Sequence, residues 1–309
     1  MQFFDSQQVA AALPWEALIA SIESVMVAPG ACAPERTVHH VGVAHGADAS
    51  LLLKPGWVDG DVIAVKAVTF FPDNGALGVA TVNAGVLLFD GTNGTLIGAC
   101  DGNELTTRRT AAASAVAAKR LARPDASRLL VVGTGALAPM VAQAHGAVRT
   151  HDEVAIWGRS RAKAEAVVTE LVALGLPAVV CTDLDRGVEA ADTITCVTGS
   201  TSPLVKGDLL KPGSHVDLIG AFTPEMRETD DTVISRAHVW VDTRSDGVLA
   251  GDLAQPIAAG LFAVGDIQGD LAELVAGSCP TRSSDEQITL FKSAGTALED
   301  LAAARLVFA

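Results

Sequence analysis

At 309 residues the chain is long enough for two domains, each with its own core. Its residues are 49% hydrophobic but only 4% aromatic, so Ala, Val and Leu carry the apolar character, as in tightly packed α/β proteins. A net charge of −14 argues against nucleic acid or an anionic membrane as the main partner, while leaving room for a small anionic substrate in a local basic pocket. No stretch of about 18 uncharged apolar residues marks a membrane span. The opening MQFFDSQQVA lacks the basic-then-apolar order of a secretory signal. Cys32, Cys100, Cys181, Cys196 and Cys279 are scattered and without CxxC spacing, which fits reduced thiols in a cytoplasmic protein rather than disulfides or a zinc site. The histidines show no metal-ligand spacing, and no metal is expected. There is no tyrosine, which excludes a reductase mechanism built on a tyrosine acid.

Residues 6–27 read as one or two helices interrupted at Pro14. From about 36 to 100 the pattern turns to short strands, RTVHHVGV, SLLLKPGW, DVIAVKAVTFF, AGVLLFD and TLIGACD, with DGTNGT as a hairpin loop; they predict a mostly antiparallel or mixed sheet. An Ala-rich helix follows over about 103–122 and closes at Pro124. Then strands and helices alternate: RLLVVG, a helix over 136–149, EVAIWG, a helix over 160–174, AVVC, a helix over 184–190 and ADTITCVTG. That rhythm predicts a doubly wound parallel sheet, extended by HVDLIG and AHVWVD. The segment ITLFKSAGTALEDLAAARLVF reads as a short strand and a terminal helix.

LLVVGTGALA places Gly133-x-Gly135-x-x-Ala138 after an apolar strand and at the opening of a helix. In that context the motif predicts a dinucleotide site: Gly133 makes the tight turn, Gly135 admits the pyrophosphate, and Ala138 packs helix on strand. The phosphates belong at the positive end of the helix. Where NAD sites usually carry an acidic residue for the ribose, this chain has IWGRSRAK. Arg159, Ser160, Arg161 and Lys163 match a 2′-phosphate instead, which points to NADPH, with NADH accepted less well.

Two cationic anomalies remain. Lys66 sits inside the apolar strand DVIAVKAVTF, sharing a face with Val62, Ala64, Val68 and Phe70. A lysine there must snorkel to solvent, lose its proton or meet an anion, and the residue pattern alone leaves these open. Arg108 and Arg109, in LTTRRTAAASA, fall in the first turns of a helix, where cations oppose the dipole. A surface salt bridge accounts for one of them; a substrate carboxylate held bidentately would account for the other. Arg36, in PERTVHH, is a third candidate.

Together VKAVTFFPDN, LTTRRTAAASAVAAKRLA, VVGTGALA and ITLFKSAGTALEDLAAA resemble the ornithine cyclodeaminase/mu-crystallin family over nearly the whole chain. The resemblance implies an α/β protein: a Rossmann doubly wound parallel sheet at 116–287, inserted into an α+β substrate-binding and dimerisation domain made of 1–115 plus 288–309. It implies a cleft between the two domains and a homodimer paired through the N-terminal sheets. It gives Lys66 and Arg109 to the substrate carboxylate, with Arg36 facing the substrate and Thr81 near the nicotinamide. Ser293 resembles a cofactor-contacting serine, and the implied cofactor set is completed by Thr134, Ala136, Thr198, Gly199 and Ile219.

The family divides by reaction. Ornithine cyclodeaminases carry an aspartate in the loop after the VDLIG strand; here that place falls to Phe222, which neither accepts a proton nor anchors an ammonium. GAFTPEMRE looks like the branch that reduces the cyclic ketimines Δ1-pyrroline-2-carboxylate and Δ1-piperideine-2-carboxylate with NADPH. In that mechanism Phe222 packs on the ring, hydride reaches C2, and Lys66 is either clamp or proton donor. Ornithine cyclodeamination with NAD, amino-acid (alanine) dehydrogenation and a non-enzymatic NADPH-binding role are the competing expectations.

Overall fold

The computed structural model describes residues 2–44 and 46–309 and divides into two compact units, Met1–Arg109 with Thr296–Ala309, and Thr110–Gly295. The first contains β1 (Gln2–Phe4), α1 (Ser6–Ala12), α2 (Trp15–Met26), β2 (Ala31–Cys32), β3 (Thr37–Val41), β4 (Ala49–Val58), β5 (Val62–Phe70), β6 (Val82–Asp90) and β7 (Leu96–Asp101). Helix α3 (Gly102–Leu121) begins in it and runs on into the second unit. Along the second unit come β8 (Arg128–Val132), α4 (Leu137–Val148), β9 (Glu153–Trp157), α5 (Arg161–Ala173), β10 (Ala178–Val180), α6 (Leu184–Ala190) and β11 (Thr193–Cys196). It continues with β12 (His215–Leu218), α7 (Asp231–Arg236), β13 (His238–Val241), α8 (Arg244–Gly247), α9 (Gly251–Ala258), β14 (Gly269–Asp270), α10 (Leu271–Ala276) and β15 (Thr289–Lys292). The chain then returns to the first unit as α11 (Ala297–Val307).

The first sheet runs β1-β7-β6-β5-β4-β2, with β3 also on β4; β1 is parallel to β7 and the remaining pairs are antiparallel. Because side chains alternate along a strand, one face collects Lys54 and Val58 of β4, Ala64 and Lys66 of β5, Val86 and Leu88 of β6 and Cys100 of β7, all buried. Helices α2 and α11 pack together in this unit, α2 through a stripe of Leu18, Ile19, Ile22, Val25 and Met26 and α11 through Leu301 to Ala304 and Val307. A Cβ at Gly56 would lie 3.0 Å from that of Ala297, so the bare backbone lets α11 lie against β4. The opposite face keeps Leu87 and Ile97 at the surface, and Val38 of β3 is exposed too.

The second sheet is wholly parallel in the order β10-β9-β8-β11-β12-β15-β13-β14. Its central strands are near-continuous apolar runs buried on both faces, as helix-covered parallel strands must be. The sequence expectation ended this unit at 287. Instead β15 pairs with both β12 and β13 inside the sheet, so the return to the first unit comes at Thr296. The reason is burial: Thr289 to Lys292 are all inaccessible, and only an interior strand position supplies partners for both backbone edges.

Beneath the sheet, Asp217 of β12 is fully buried and saturated. Its Oδ2 accepts from Ser114 Oγ at 2.9 Å and lies 3.3 Å from His145 Nε2, and its Oδ1 lies 3.1 Å from His215 Nε2. Burial alone would raise this carboxyl, but the His215 charge and the hydrogen bonds of both histidines hold it well below the usual carboxylate range. A depressed carboxylate contributes stability that is present above the unfolded pKa and is lost as pH falls through the folded one. Asp217→Asn is therefore expected to cost about 3 kcal/mol of unfolding free energy at pH 7. Urea titrations of both chains should show that gap narrowing below about pH 4.

Candidate functional site

The turn after β8 builds a nucleotide cradle. Gly133 has φ +134°, and a Cβ there would come within 2.7 Å of Val197 Cγ2 and 2.9 Å of the Val197 carbonyl oxygen, so only glycine fits. Helix α4 opens at Ala136 with no side-chain cap and no acidic residue in its first turn, which leaves its N–H groups for an anion. Strand order reverses between β8 and β11, the position where open parallel sheets bind ligands. A cavity of about 490 Å³ opens there. Gly133, Thr134, Gly135, Arg159, Ser160, Lys163, Thr198 and Gly199 line it, and no carboxylate does.

The glycine cradle, the uncapped helix and the basic rim fit a nicotinamide dinucleotide. Ser160 caps α5, its Oγ accepting the Lys163 N–H at 3.4 Å, so the RSRAK segment is held at the cavity edge. Arg161 is turned away to Glu165 at 2.8 Å and lies outside the cavity lining. Ala136 and Ile219 are also outside it; Ile219 is buried at the end of β12. Ser293 is buried after β15, donating to Asp242 Oδ2 at 3.0 Å, and the same oxygen accepts the N–H groups of Ala294 and Gly295.

In the first unit, Lys66 and Arg109 come together, but on protein carboxylates that sequence reasoning missed. Lys66 Nζ donates to Asp300 Oδ1 at 2.6 Å and to Thr106 Oγ1 at 3.2 Å. Arg109 reaches Glu299 Oε2 with Nη1 at 2.5 Å and Asp300 Oδ1 with Nε at 2.8 Å. Lys54 lies directly opposite Lys66 in the strand register, with Nζ 3.7 Å from Asp300 Oδ2. Two lysines facing each other across a ladder repel, and Asp300 is the shared counter-ion. All five groups are buried.

Lys66 thus has a protein partner, Asp300, that the sequence did not reveal. The same holds for the arginine pair. Arg108 is the ordinary helix-surface pair of that expectation, bonded to Glu104 at 2.6 Å and lying over the Trp15 ring. The acids at 299 and 300 gave no signal in the sequence because acidic residues are common in a first helical turn.

Burial, Arg109 and Lys54 together push the Lys66 ammonium well below the usual lysine range, against the pull of Asp300. Lys54 is lowered too, chiefly by burial, and Arg36 is near enough for its charge to contribute. Burial would raise Asp300, but Lys66, Arg109 and Lys54 outweigh it and hold the carboxyl well below its ordinary value. Asp300 is thus shared by Lys54, Lys66 and Arg109, and Glu299 makes a second contact to Arg109.

Thr81 is half-buried at the start of β6, its carbonyl accepting from the Phe71 N–H at 2.8 Å. Phe222 stands more than half exposed after β12. Among the described residues, no group of three or more His, Cys, Asp or Glu could hold a metal ion, and no single helix is long and apolar enough to cross a membrane.

Residues 8–309 match the ornithine cyclodeaminase/mu-crystallin family. The chain belongs to that family. It is 35% identical to a Δ1-pyrroline-2-carboxylate reductase of Colwellia psychrerythraea, over 99% of this chain and 98% of that protein. It is 36% identical to mouse ketimine reductase mu-crystallin, over 80% of this chain and 76% of that one. The structure of Thermococcus litoralis Δ1-pyrroline-2-carboxylate reductase in complex with NADH and L-proline superposes with a TM-score of 0.93 at 28% identity, covering 100% of this chain and 96% of that one. These named relatives lie on the reductase side of the family, and the fold is the expected mixed α/β architecture with a Rossmann-like parallel sheet.

Removing Asp300 would leave Lys54, Lys66 and Arg109 buried with Glu299 alone. Asp300→Asn is expected to lower the unfolding free energy by about 3 to 5 kcal/mol in a denaturant titration.

Proposed function

We propose that the chain reduces cyclic imines bearing a carboxylate, Δ1-pyrroline-2-carboxylate to L-proline and Δ1-piperideine-2-carboxylate to L-pipecolate, with NADPH. The observation that carries this is the convergence of two buried cations, Lys66 and Arg109, on one carboxylate, where a substrate carboxylate could engage both.

The nicotinamide supplies a hydride when bound. The protein groups do the rest. Arg109, anchored by Glu299 and Asp300, presents a guanidinium whose orientation is fixed before the carboxylate arrives. Lys66 completes the clamp, and its depressed pKa makes its proton available to an imine nitrogen. A protonated C=N accepts hydride at C2 while its electron pair settles on nitrogen, so the imine gains one hydride and one proton. Phe222, apolar where a cyclodeaminase needs a carboxylate, supports reduction over deamination.

NADPH over NADH rests on the cavity rim, where Arg159, Ser160 and Lys163 stand without an acidic residue.

Lys66→Ala and Arg109→Ala are expected to reduce kcat/KM for either ketimine about 100-fold or more while leaving NADPH affinity nearly unchanged. Near-normal turnover by both variants would sink the carboxylate clamp. Arg159→Ala should weaken NADPH about 10- to 100-fold and NADH far less, read from titration of cofactor fluorescence; equal losses would argue against recognition of a 2′-phosphate.

A further inference from the structure

Strands β11 and β12 pair in register from Thr193–His215 to Cys196–Leu218 and then diverge. Past that point the Gly220 N–H still reaches the Cys196 carbonyl at 3.1 Å, whereas the Thr198 and Ala221 N–H groups need other acceptors. One side chain takes them. Glu228 Oε1 accepts the Thr198 N–H at 2.6 Å and the Thr198 hydroxyl at 2.9 Å, and Oε2 accepts the N–H groups of Gly220 at 3.0 Å and Ala221 at 3.2 Å.

Glu228 is itself fully buried and anchored. Its N–H donates to Asp252 Oδ1 at 2.7 Å, and its carbonyl accepts from Leu204 and Val205 at 2.8 and 3.1 Å. Lys292 Nζ ties Asp252 Oδ2, at 3.0 Å, to the Ala221 carbonyl, at 2.6 Å. A Cβ at Gly220 would collide with the Thr198 backbone and with Glu228 Oε1, so the two turns meet over the carboxylate at the closest approach glycine permits. Thr198 and Gly199 line the nucleotide cavity, whereas Glu228 does not.

We propose that Glu228 is a positioning residue of the nucleotide site: its ionised carboxylate clasps the Thr198–Gly199 turn to the Gly220–Ala221 turn, and tight cofactor binding requires the clasp. This rests on the nicotinamide-cofactor reading above. A carboxylate can accept all four donors, but a neutral carboxyl turns one acceptor into an O–H and must release at least one of them.

The groups facing Glu228 set when that happens. Burial and Asp252 push its carboxyl up to about 7, against Lys292 and the Thr198 hydrogen bonds. Cys196 beside it on β11 is raised well above the usual thiol range, chiefly by burial, and stays neutral. Asp217, on β12, is committed to Ser114 and His215, and Arg227 is turned to the Thr229 carbonyl and Asp231.

The test is the dissociation constant of NADH, read by fluorescence between pH 6 and 8.5. NADH carries no 2′-phosphate, so no ligand group titrates across that range. Wild-type affinity should be flat at high pH and weaken about fivefold as pH falls from 8 to 6, levelling toward the affinity of the neutral form. Glu228→Gln should bind about tenfold more weakly at pH 8 and lose the pH dependence. Thr198→Val, which deletes one donor to the ionised form, should move the wild-type midpoint to higher pH. A flat wild-type profile, or a Glu228→Gln profile parallel to it, would overturn the clasp. No NADH binding by the folded wild-type chain at any pH would overturn the cofactor reading, and the clasp with it.

Discussion

The pairing of Asp300 with Lys66 and Arg109 is the constraint on which the first unit turns. Taking a single ion out of water costs several kcal/mol even after relaxation, and here five ionisable side chains share one core. Such a cluster is a poor source of stability, because apolar residues of similar volume would do as well or better. Its value lies in what it fixes. Arg109 is held by two carboxylates, and Lys66 by a carboxylate and a hydroxyl, so both cations keep their geometry through the stiffness of α11 and β5.

The second unit uses buried acids differently. Where its parallel strands end, the backbone needs partners that neighbouring strands no longer supply. Glu228 serves the turns after β11 and β12, and Asp242 serves the segment after β15, where Ser293, Ala294 and Gly295 all donate to one oxygen. Loops at the carboxyl ends of a parallel sheet are where ligands bind, so these acids give irregular backbone the rigidity that a binding surface needs. In the first unit acids balance side-chain cations; here they replace a missing ladder.

Local chemistry explains what was legible in the sequence. The Gly133 turn, the strand–helix alternation and the basic segment after β9 are each written within a few consecutive residues, and each stands in the structure where its pattern placed it. Lys66 and Arg109 stood out because a cation in an apolar strand or a first helical turn violates a local rule. Their partners violate none: Glu299 and Asp300 look like acids favoured by a helix dipole. What joins Lys66 to Asp300 is a separation of 234 positions, and no periodicity reports that. The place of β15 was hidden for the same reason, since its apolar run fits either sheet until its hydrogen-bond partners are known.

The insertion of one unit within the other also orders events during synthesis. Strands β4 and β5, with Lys54 opposite Lys66, leave the ribosome early, whereas α11 with its two acids follows only after all of Thr110–Gly295 has been made. Throughout that interval the opposed lysines lack Asp300, and the face of the first sheet lacks its covering helix. The second unit is contiguous and can close its core alone. The nascent protein should therefore reverse the usual N-terminal-first order, its later segment folding while its earlier one waits.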